Sequence, residues 1–108
     1  MSYISINPFS GEQVFSAELL SSEQIEEKLA LSSQAFVHWR ESPYRERAEL
    51  IYRVADLLEQ NADEYAQLIT QEMGKLKCEA IAEVLKCATG CRYYAENAEI
   101  FLSDKLID

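Results

Sequence analysis

The sequence predicts a mainly α-helical fold in which a short β-hairpin over residues 1–20 precedes four helices within residues 21–102. Two observations support this prediction. Apolar and polar residues alternate before residue 20, which is typical of strands, whereas apolar residues recur every three or four positions after Ser21, which is typical of helices. The last residues, 103–108, are expected to leave the helical region toward an extended segment.

The hairpin is predicted from two short apolar stretches and the residues between them. Ile4 and Ile6 alternate with serines, and Val14-Phe15 begins a second stretch. The intervening residues, Asn7-Pro8-Phe9-Ser10-Gly11, mostly favour turns. We therefore expect two strands joined by a tight connection.

Serine residues mark the predicted starts of the first two helices. Ser21 and Gln24 have the spacing of a capping box, and this helix is expected to end near Trp39. The second helix is expected to begin at Ser42-Pro43, because serine can accept a backbone hydrogen bond and proline at the first helical position needs no N–H. The predicted inward face of the second helix is Leu50, Ile51, Val54, Leu57 and Leu58.

The third and fourth helices are separated by a glycine. Asn61 with Glu64 repeats the capping pattern, and Gly74 supplies the left-handed residue that commonly ends a helix. The fourth helix is expected over residues 76–102, where Gly90 costs about 1 kcal/mol relative to alanine unless close packing requires it. The predicted inward faces are Tyr65, Leu68, Ile69 and Met73, then Ile81, Val84, Leu85, Ala88, Cys91, Ala95 and Ala98.

Composition and charge argue against several classes of partner. Ten Lys+Arg against 19 Asp+Glu give a net charge of -9, which repels a phosphate backbone, so we expect no nucleic acid partner. No apolar run approaches the roughly 18 to 20 residues of a membrane span, and the first residues lack the pattern of a secretory signal. We therefore expect a cytoplasmic protein without membrane contact, with its cysteines reduced.

Few residues suggest chemistry of their own. The three glycines are scattered, so no loop is expected to cradle a dinucleotide. Cys87 and Cys91 share a helix face and, with Cys78, leave a metal or redox sensor open as an alternative. Free cysteine also packs as a small hydrophobe, and His38, the one histidine, is distant in sequence, so a cysteine–histidine nucleophile pair is not favoured.

Short segments along the chain resemble the opening of the aldehyde dehydrogenase superfamily. None is diagnostic alone, but six in register make chance resemblance improbable. The residues of these segments are most similar to those of the shorter NAD(P)-dependent succinate-semialdehyde dehydrogenases, although Leu76 stands where the family usually has proline. The segments are Ile6-Asn7-Pro8 with Gly11-Glu12, Ala35-Phe36 with Trp39-Arg40, Arg45 and Arg47 leading into Leu50 and Ala55-Asp56-Leu57, Glu72-Met73-Gly74-Lys75, Glu83-Val84, and Cys91-Arg92-Tyr93-Tyr94-Ala95-Glu96.

The resemblance implies that this chain is the N-terminal part of an enzyme that oxidises succinate semialdehyde to succinate with NAD or NADP. The chain would supply outer helices of the cofactor-binding domain. The cysteine nucleophile, the glutamate base and the cofactor glycines would lie downstream of Asp108. We therefore expect no catalytic residue, no bound cofactor and no activity from residues 1–108 alone.

The resemblance also implies two candidate sites. Ala82 and Lys86 match positions beside the tunnel that brings aldehyde to the nucleophile, where the Lys86 ammonium would attract the distal carboxylate of a semialdehyde acid. The competing interpretation is an ion pair between Lys86 and Glu83. Glu72, with the backbone carbonyl of Ile6, matches a structural monovalent-cation site.

Two interpretations of the whole chain remain open. It is either part of a dehydrogenase or a stand-alone acidic helical module for interaction or regulation. In the first case, its partners are the remainder of its own polypeptide and, in the full enzyme, a small aldehyde. Helix faces shaped to bury against that remainder would be exposed, so we also expect a homo-oligomer.

Overall fold

The computed structural model describes residues 2–107 and shows a two-stranded hairpin followed by four helices. This confirms the predicted fold class, and Met1 and Asp108 lie outside the described residues. The elements are β1 (Ser2–Ile6), β2 (Gln13–Glu18), α1 (Ser22–Trp39), α2 (Tyr44–Gln60), α3 (Ala62–Met73) and α4 (Lys77–Leu102).

The chain forms two compact units. The first contains Met1–Ser42 and Gln71–Gly74, and the second contains Pro43–Thr70 and Lys75–Asp108. The hairpin, α1 and the end of α3 therefore belong to the first unit, whereas α2 and α4 belong to the second.

The hairpin of the first unit closes at Asn7. β1 and β2 are antiparallel, and their register shifts between Ser5 and Ile6. The Asn7 carbonyl accepts a 2.8 Å hydrogen bond from the Gly11 amide, and its side-chain oxygen accepts one of 2.9 Å from the Phe9 amide. Gly11 has a φ of 74°, a left-handed conformation that glycine adopts without steric cost. The predicted turn is thus confirmed.

The predicted capping box at the start of α1 is confirmed. The Ser21 hydroxyl accepts a 3.3 Å hydrogen bond from the Gln24 amide. In return, the Gln24 side-chain oxygen accepts a 2.9 Å bond from the Ser21 amide. Two amides that the helix itself leaves unpaired are therefore satisfied.

The predicted serine cap of α2 is wrong. Pro43 is the N-cap, and no side chain caps the helix. The hydroxyl of Ser42 instead donates to the carbonyl of Trp39 at the end of α1. Ser42 stands one residue too early to cap α2, and the unpaired carbonyls that end α1 are its nearer partners.

The predicted role of Asn61 as the cap at the start of α3 is also wrong. Its side-chain amide donates a 2.8 Å hydrogen bond to the Leu57 carbonyl, so it closes α2 rather than opening α3. A single residue separates these helices, and an asparagine amide can satisfy the carbonyls on one side or the amides on the other. At the far end of α3, Gly74 has a φ of 72°, which confirms the predicted glycine stop.

The core is made of small side chains. Five of its six residues are alanine, and no large side chain is fully buried among residues 2–107. Alanine at a contact allows helices to approach at the short end of the usual range of about 8–10 Å. The buried residues are Ala55, Ala62, Ala66, Ala80, Val84 and Ala88.

Most predictions of inward-facing large residues are therefore wrong within this chain. Val84 and Ala88 are buried as predicted. Leu57 of α2 is 53% exposed, and Leu68 and Met73 of α3 are 49% and 70% exposed. In both helices the buried positions are instead occupied by alanines. None of the helices among residues 2–107 is long and apolar enough to cross a bilayer.

Candidate functional site

The two residues of the predicted substrate tunnel lie on α4. Ala82 and Lys86 are one helical turn apart, so they share a face of the helix, and both are exposed. The structure thus brings them together on an accessible surface. Their assignment to a tunnel remains a prediction.

The alternative ion pair between Lys86 and Glu83 does not form. The Lys75 ammonium donates to the Glu83 carboxylate instead, and this hydrogen bond holds the pKa of Glu83 below its usual value and raises that of Lys75. Lys86 adds only a weaker coulombic contribution at Glu83. Within residues 2–107 no ion pair involves Lys86, so its ammonium is accessible to another anion.

Sequence spacing alone did not reveal the Lys75–Glu83 pair. The partners are eight residues apart, a separation outside the usual helix pairs at three or four. Their proximity depends on α4 beginning only at Lys77, which leaves Lys75 in the connection before it. Both residues belong to segments that carried the dehydrogenase resemblance.

The predicted cation ligands lie in the same unit. Ile6 ends β1 and Glu72 is in the last turn of α3, both within the first unit, and both side chains are exposed. A neighbouring pair shows that these segments touch: a Cβ at Gly74 would lie 3.1 Å from the Cγ of Pro8. The structure therefore brings the end of α3 against the hairpin turn. The cation site itself remains a prediction.

The cysteines do not gather into a metal cluster. Cys78 and Cys87 are exposed, Cys91 is half-buried, and all three are free thiols on α4. No group of three or more His, Cys, Asp or Glu side chains between residues 2 and 107 is placed to hold a metal ion.

Sequence reasoning missed an open cleft in the second unit, which we term the α2–α4 groove. It has a volume of about 950 Å³. Its lining includes Tyr44, Arg47, Cys87, Gly90, Cys91 and Tyr94. A Cβ at Gly90 would meet nothing within 4 Å among the described residues, so close packing within this part of the chain is not what requires a glycine there.

Arg47 is one of four charged residues that line the α2–α4 groove, with Arg45, Glu96 and Glu99. Its guanidinium lies 4.5 Å from the centroid of the Tyr44 ring, a cation–π contact. Its Nε is buried and has no hydrogen-bond acceptor within residues 2–107. On α4, Arg92 instead forms ion pairs: its Nη2 donates to Asp56 at 2.9 Å and to Glu59 at 2.7 Å.

Comparison with known proteins places nearly the whole chain in one family. The Aldehyde dehydrogenase family model matches residues 1–107. A probable NADP(+) succinate-semialdehyde dehydrogenase from Synechocystis sp. is 41% identical over 107 residues, which are 99% of this chain and 24% of the relative. NADP(+) succinate-semialdehyde dehydrogenase 1 from Mycobacterium bovis is 41% identical over 108 residues, which are 100% of this chain and 24% of the relative.

Solved structures agree. The crystal structure of succinic semialdehyde dehydrogenase from Streptococcus pyogenes, in complex with NADP+, matches 98% of this chain and 24% of that chain with a TM-score of 0.92 and 30% identity. The chain therefore spans about a quarter of the length of these relatives. Family, fold and order of the recognised segments all agree, and the chain belongs to the aldehyde dehydrogenase family.

Proposed function

We propose that this chain is part of an NAD(P)-dependent enzyme that oxidises succinate semialdehyde to succinate. The observation that supports this most directly is the 41% identity, along essentially the whole chain, to two proteins named as succinate-semialdehyde dehydrogenases. NADP is the favoured cofactor, because both names specify NADP(+) and the Streptococcus pyogenes structure contains NADP+.

The residues of this chain do not fit a cofactor site of their own. Dinucleotide phosphates bind where closely spaced glycines open a helix. Here Gly11 lies in the hairpin turn, Gly74 follows α3 and Gly90 lies within α4. We therefore propose that the bound nicotinamide, which would accept the hydride, is held by residues outside this chain.

The contribution we propose for this chain is attraction of the substrate by Lys86. Succinate semialdehyde carries a carboxylate at the end opposite its aldehyde. An ammonium 4 Å from such a carboxylate contributes about 1 kcal/mol in water and about 4 kcal/mol near a protein surface. Because Glu83 is paired with Lys75, the Lys86 charge is not neutralised by its helix neighbour.

A second proposed contribution is structural. The Glu72 carboxylate and the Ile6 carbonyl would bind a monovalent cation, since hard cations prefer oxygen ligands. The contact between Gly74 and Pro8 supports this, because it shows that the two segments meet. In the full polypeptide, potassium or sodium should raise the unfolding temperature, and Glu72→Ala should remove that increase. An equal cation effect in the variant would exclude the site.

Exposed surface favours the dehydrogenase interpretation over a stand-alone module. Large apolar side chains such as Phe36, Tyr94 and Ile100 are each more than half exposed. We propose that the remainder of the polypeptide covers much of this surface, and that the 108-residue chain by itself forms a dimer or larger oligomer.

Two measurements test the proposed function. Beyond residue 108, the coding sequence should encode a glycine-rich cofactor turn and a later cysteine motif. The full polypeptide should then reduce NADP+ when succinate semialdehyde is supplied, whereas residues 1–108 alone should not. We propose that the full enzyme is cytoplasmic. A reading frame that stops at residue 108, or a full polypeptide inactive on the semialdehyde, would refute the proposal.

A further inference from the structure

The α2–α4 groove contains an unsatisfied polar group. Arg47 is partly buried, and its Nε has no acceptor among residues 2–107. A buried donor left without a partner costs on the order of 1–3 kcal/mol, and native proteins leave few of them. The groove therefore lacks an oxygen acceptor at this point.

No acidic residue between positions 2 and 107 supplies that acceptor. Glu96 and Glu99 also line the groove, yet neither forms an ion pair with Arg47 within residues 2–107. The tyrosine ring under the guanidinium satisfies its charge only partly, since a cation–π contact engages the face of the guanidinium and not its N–H groups.

The rest of the groove is shaped for apolar contact. Tyrosine rings and the methyl groups of alanines line much of it, and no atom of residues 2–107 lies within 4 Å of where a Cβ at Gly90 would be. Apolar surface of this kind is usually covered in a finished protein. An occupant must therefore combine an apolar side chain with an oxygen acceptor.

We propose that the α2–α4 groove is a docking site for a later segment of the same polypeptide, which places an apolar side chain over Gly90 and a carbonyl or carboxylate oxygen on the Arg47 Nε. The inference rests on the proposed function, because the relatives carry about three quarters of their length outside the matched part. That remainder is covalently attached, so its effective concentration at the groove exceeds that of a separate partner.

The groove contains its own reporters. Cys87 is exposed and Cys91 is half-buried, and both line it, whereas Cys78 on the same helix does not. An occupant of the groove would shield the Cys87 thiol from a small alkylating reagent.

The test is labelling with N-ethylmaleimide, quantified for each cysteine by mass spectrometry, in the 108-residue chain and in the full polypeptide. We expect Cys87 to react at least tenfold more slowly in the full polypeptide. Arg47→Met, which keeps the aliphatic stem but removes the N–H donors, should restore fast labelling there and change nothing in the 108-residue chain. Arg53→Met, on the exposed surface of α2, is the matched control and should leave protection intact.

The outcomes separate this inference from the proposed function. A full polypeptide that oxidises the semialdehyde but labels at Cys87 as fast as the short chain overturns the docking site and leaves the function standing. An inactive polypeptide with a protected Cys87 overturns the proposed function and leaves the docking site standing. Protection that already appears in the 108-residue chain and rises with its concentration shows that a second copy fills the groove, and overturns the inference.

Discussion

The two longest helices, α1 and α4, contrast in how they are specified and in what they bury. α1 has a complete capping box at Ser21, yet none of its 18 residues is buried. α4 begins without a side-chain cap but buries Ala80, Val84 and Ala88. A local capping signal therefore marks the start of α1 without burying any of its residues, whereas α4 buries a face without such a signal. α1 thus has a capping box, but no element of its unit buries any of its residues.

The largest expected effect tests whether α4 is held by close packing. Ala88 is fully buried, and Ala88→Leu should lower the free energy of unfolding by about 2–3 kcal/mol, because a well-packed contact has no room for three more carbons. Ala30→Leu on the exposed α1 should change it by less than about 0.5 kcal/mol. Urea unfolding measures both. Equal losses would mean that α1 is packed as tightly as α4.

The exposed face of α4 should matter for substrate rather than for folding. In the full polypeptide, Lys86→Met should raise the KM for succinate semialdehyde about 5- to 10-fold, the equivalent of roughly 1 kcal/mol of lost attraction. Lys86→Arg should retain most of the attraction, and butyraldehyde, which lacks the carboxylate, should be unaffected. Lys28→Met on α1 is the control. An unchanged KM in Lys86→Met would remove the proposed role.

The capping box should account for a smaller, local part of stability. Ser21→Ala should cost about 1 kcal/mol, because the Gln24 amide loses its side-chain acceptor. Hydrogen exchange should therefore accelerate in the first turn of α1 and remain unchanged in α4. Ser42→Ala should leave that turn protected, since its hydroxyl bonds at the other end of α1. Faster exchange throughout α4 in Ser21→Ala would show that the two helices unfold together.

The smallest effect is a pH dependence at the start of α4. The hydrogen bond from Lys75 holds the pKa of Glu83 below its value in the unfolded chain, so this ion pair stabilises the fold at neutral pH. Its contribution is lost as pH falls below the usual glutamate range and through the folded pKa. Lys75→Met should therefore flatten the fall in unfolding temperature between neutral and acidic pH, while Lys28→Met should not. An identical pH profile in Lys75→Met would contradict this.

Sequence analysis succeeded where the determining residues are close in the chain. The capping box of Ser21 and the left-handed Gly74 involve contacts within a few residues, so their patterns predicted the structure correctly. Ser42 and Asn61 misled because each stands between two helices and can bond to either. The residue type determines which hydrogen bonds a side chain can form. The geometry of the connection between the two helices determines which helix it bonds to.

Contacts across the fold could not be predicted in the same way. Hydrophobicity ranks leucine above alanine, so the apolar stripes pointed to large side chains, whereas the α2–α4 contact selects small ones. The Arg47 Nε without an acceptor among residues 2–107 and the open space beside Gly90 depend on how residues of α2 and α4 are placed in space, which spacing along one helix does not encode. The predicted tunnel residues, Ala82 and Lys86, are both exposed, as their proposed role requires.

The approach of Gly74 to Pro8 has a consequence for how this sequence can change. Any side chain at position 74 would meet strain from its φ of 72° and crowding from a proline ring whose Cγ is 3.1 Å from the Cβ position. Insertions or deletions in the hairpin loop would shift that ring and loosen the stop of α3. Substitutions at position 74 and length changes in the hairpin loop are thus coupled, because the two segments meet at Gly74 and Pro8.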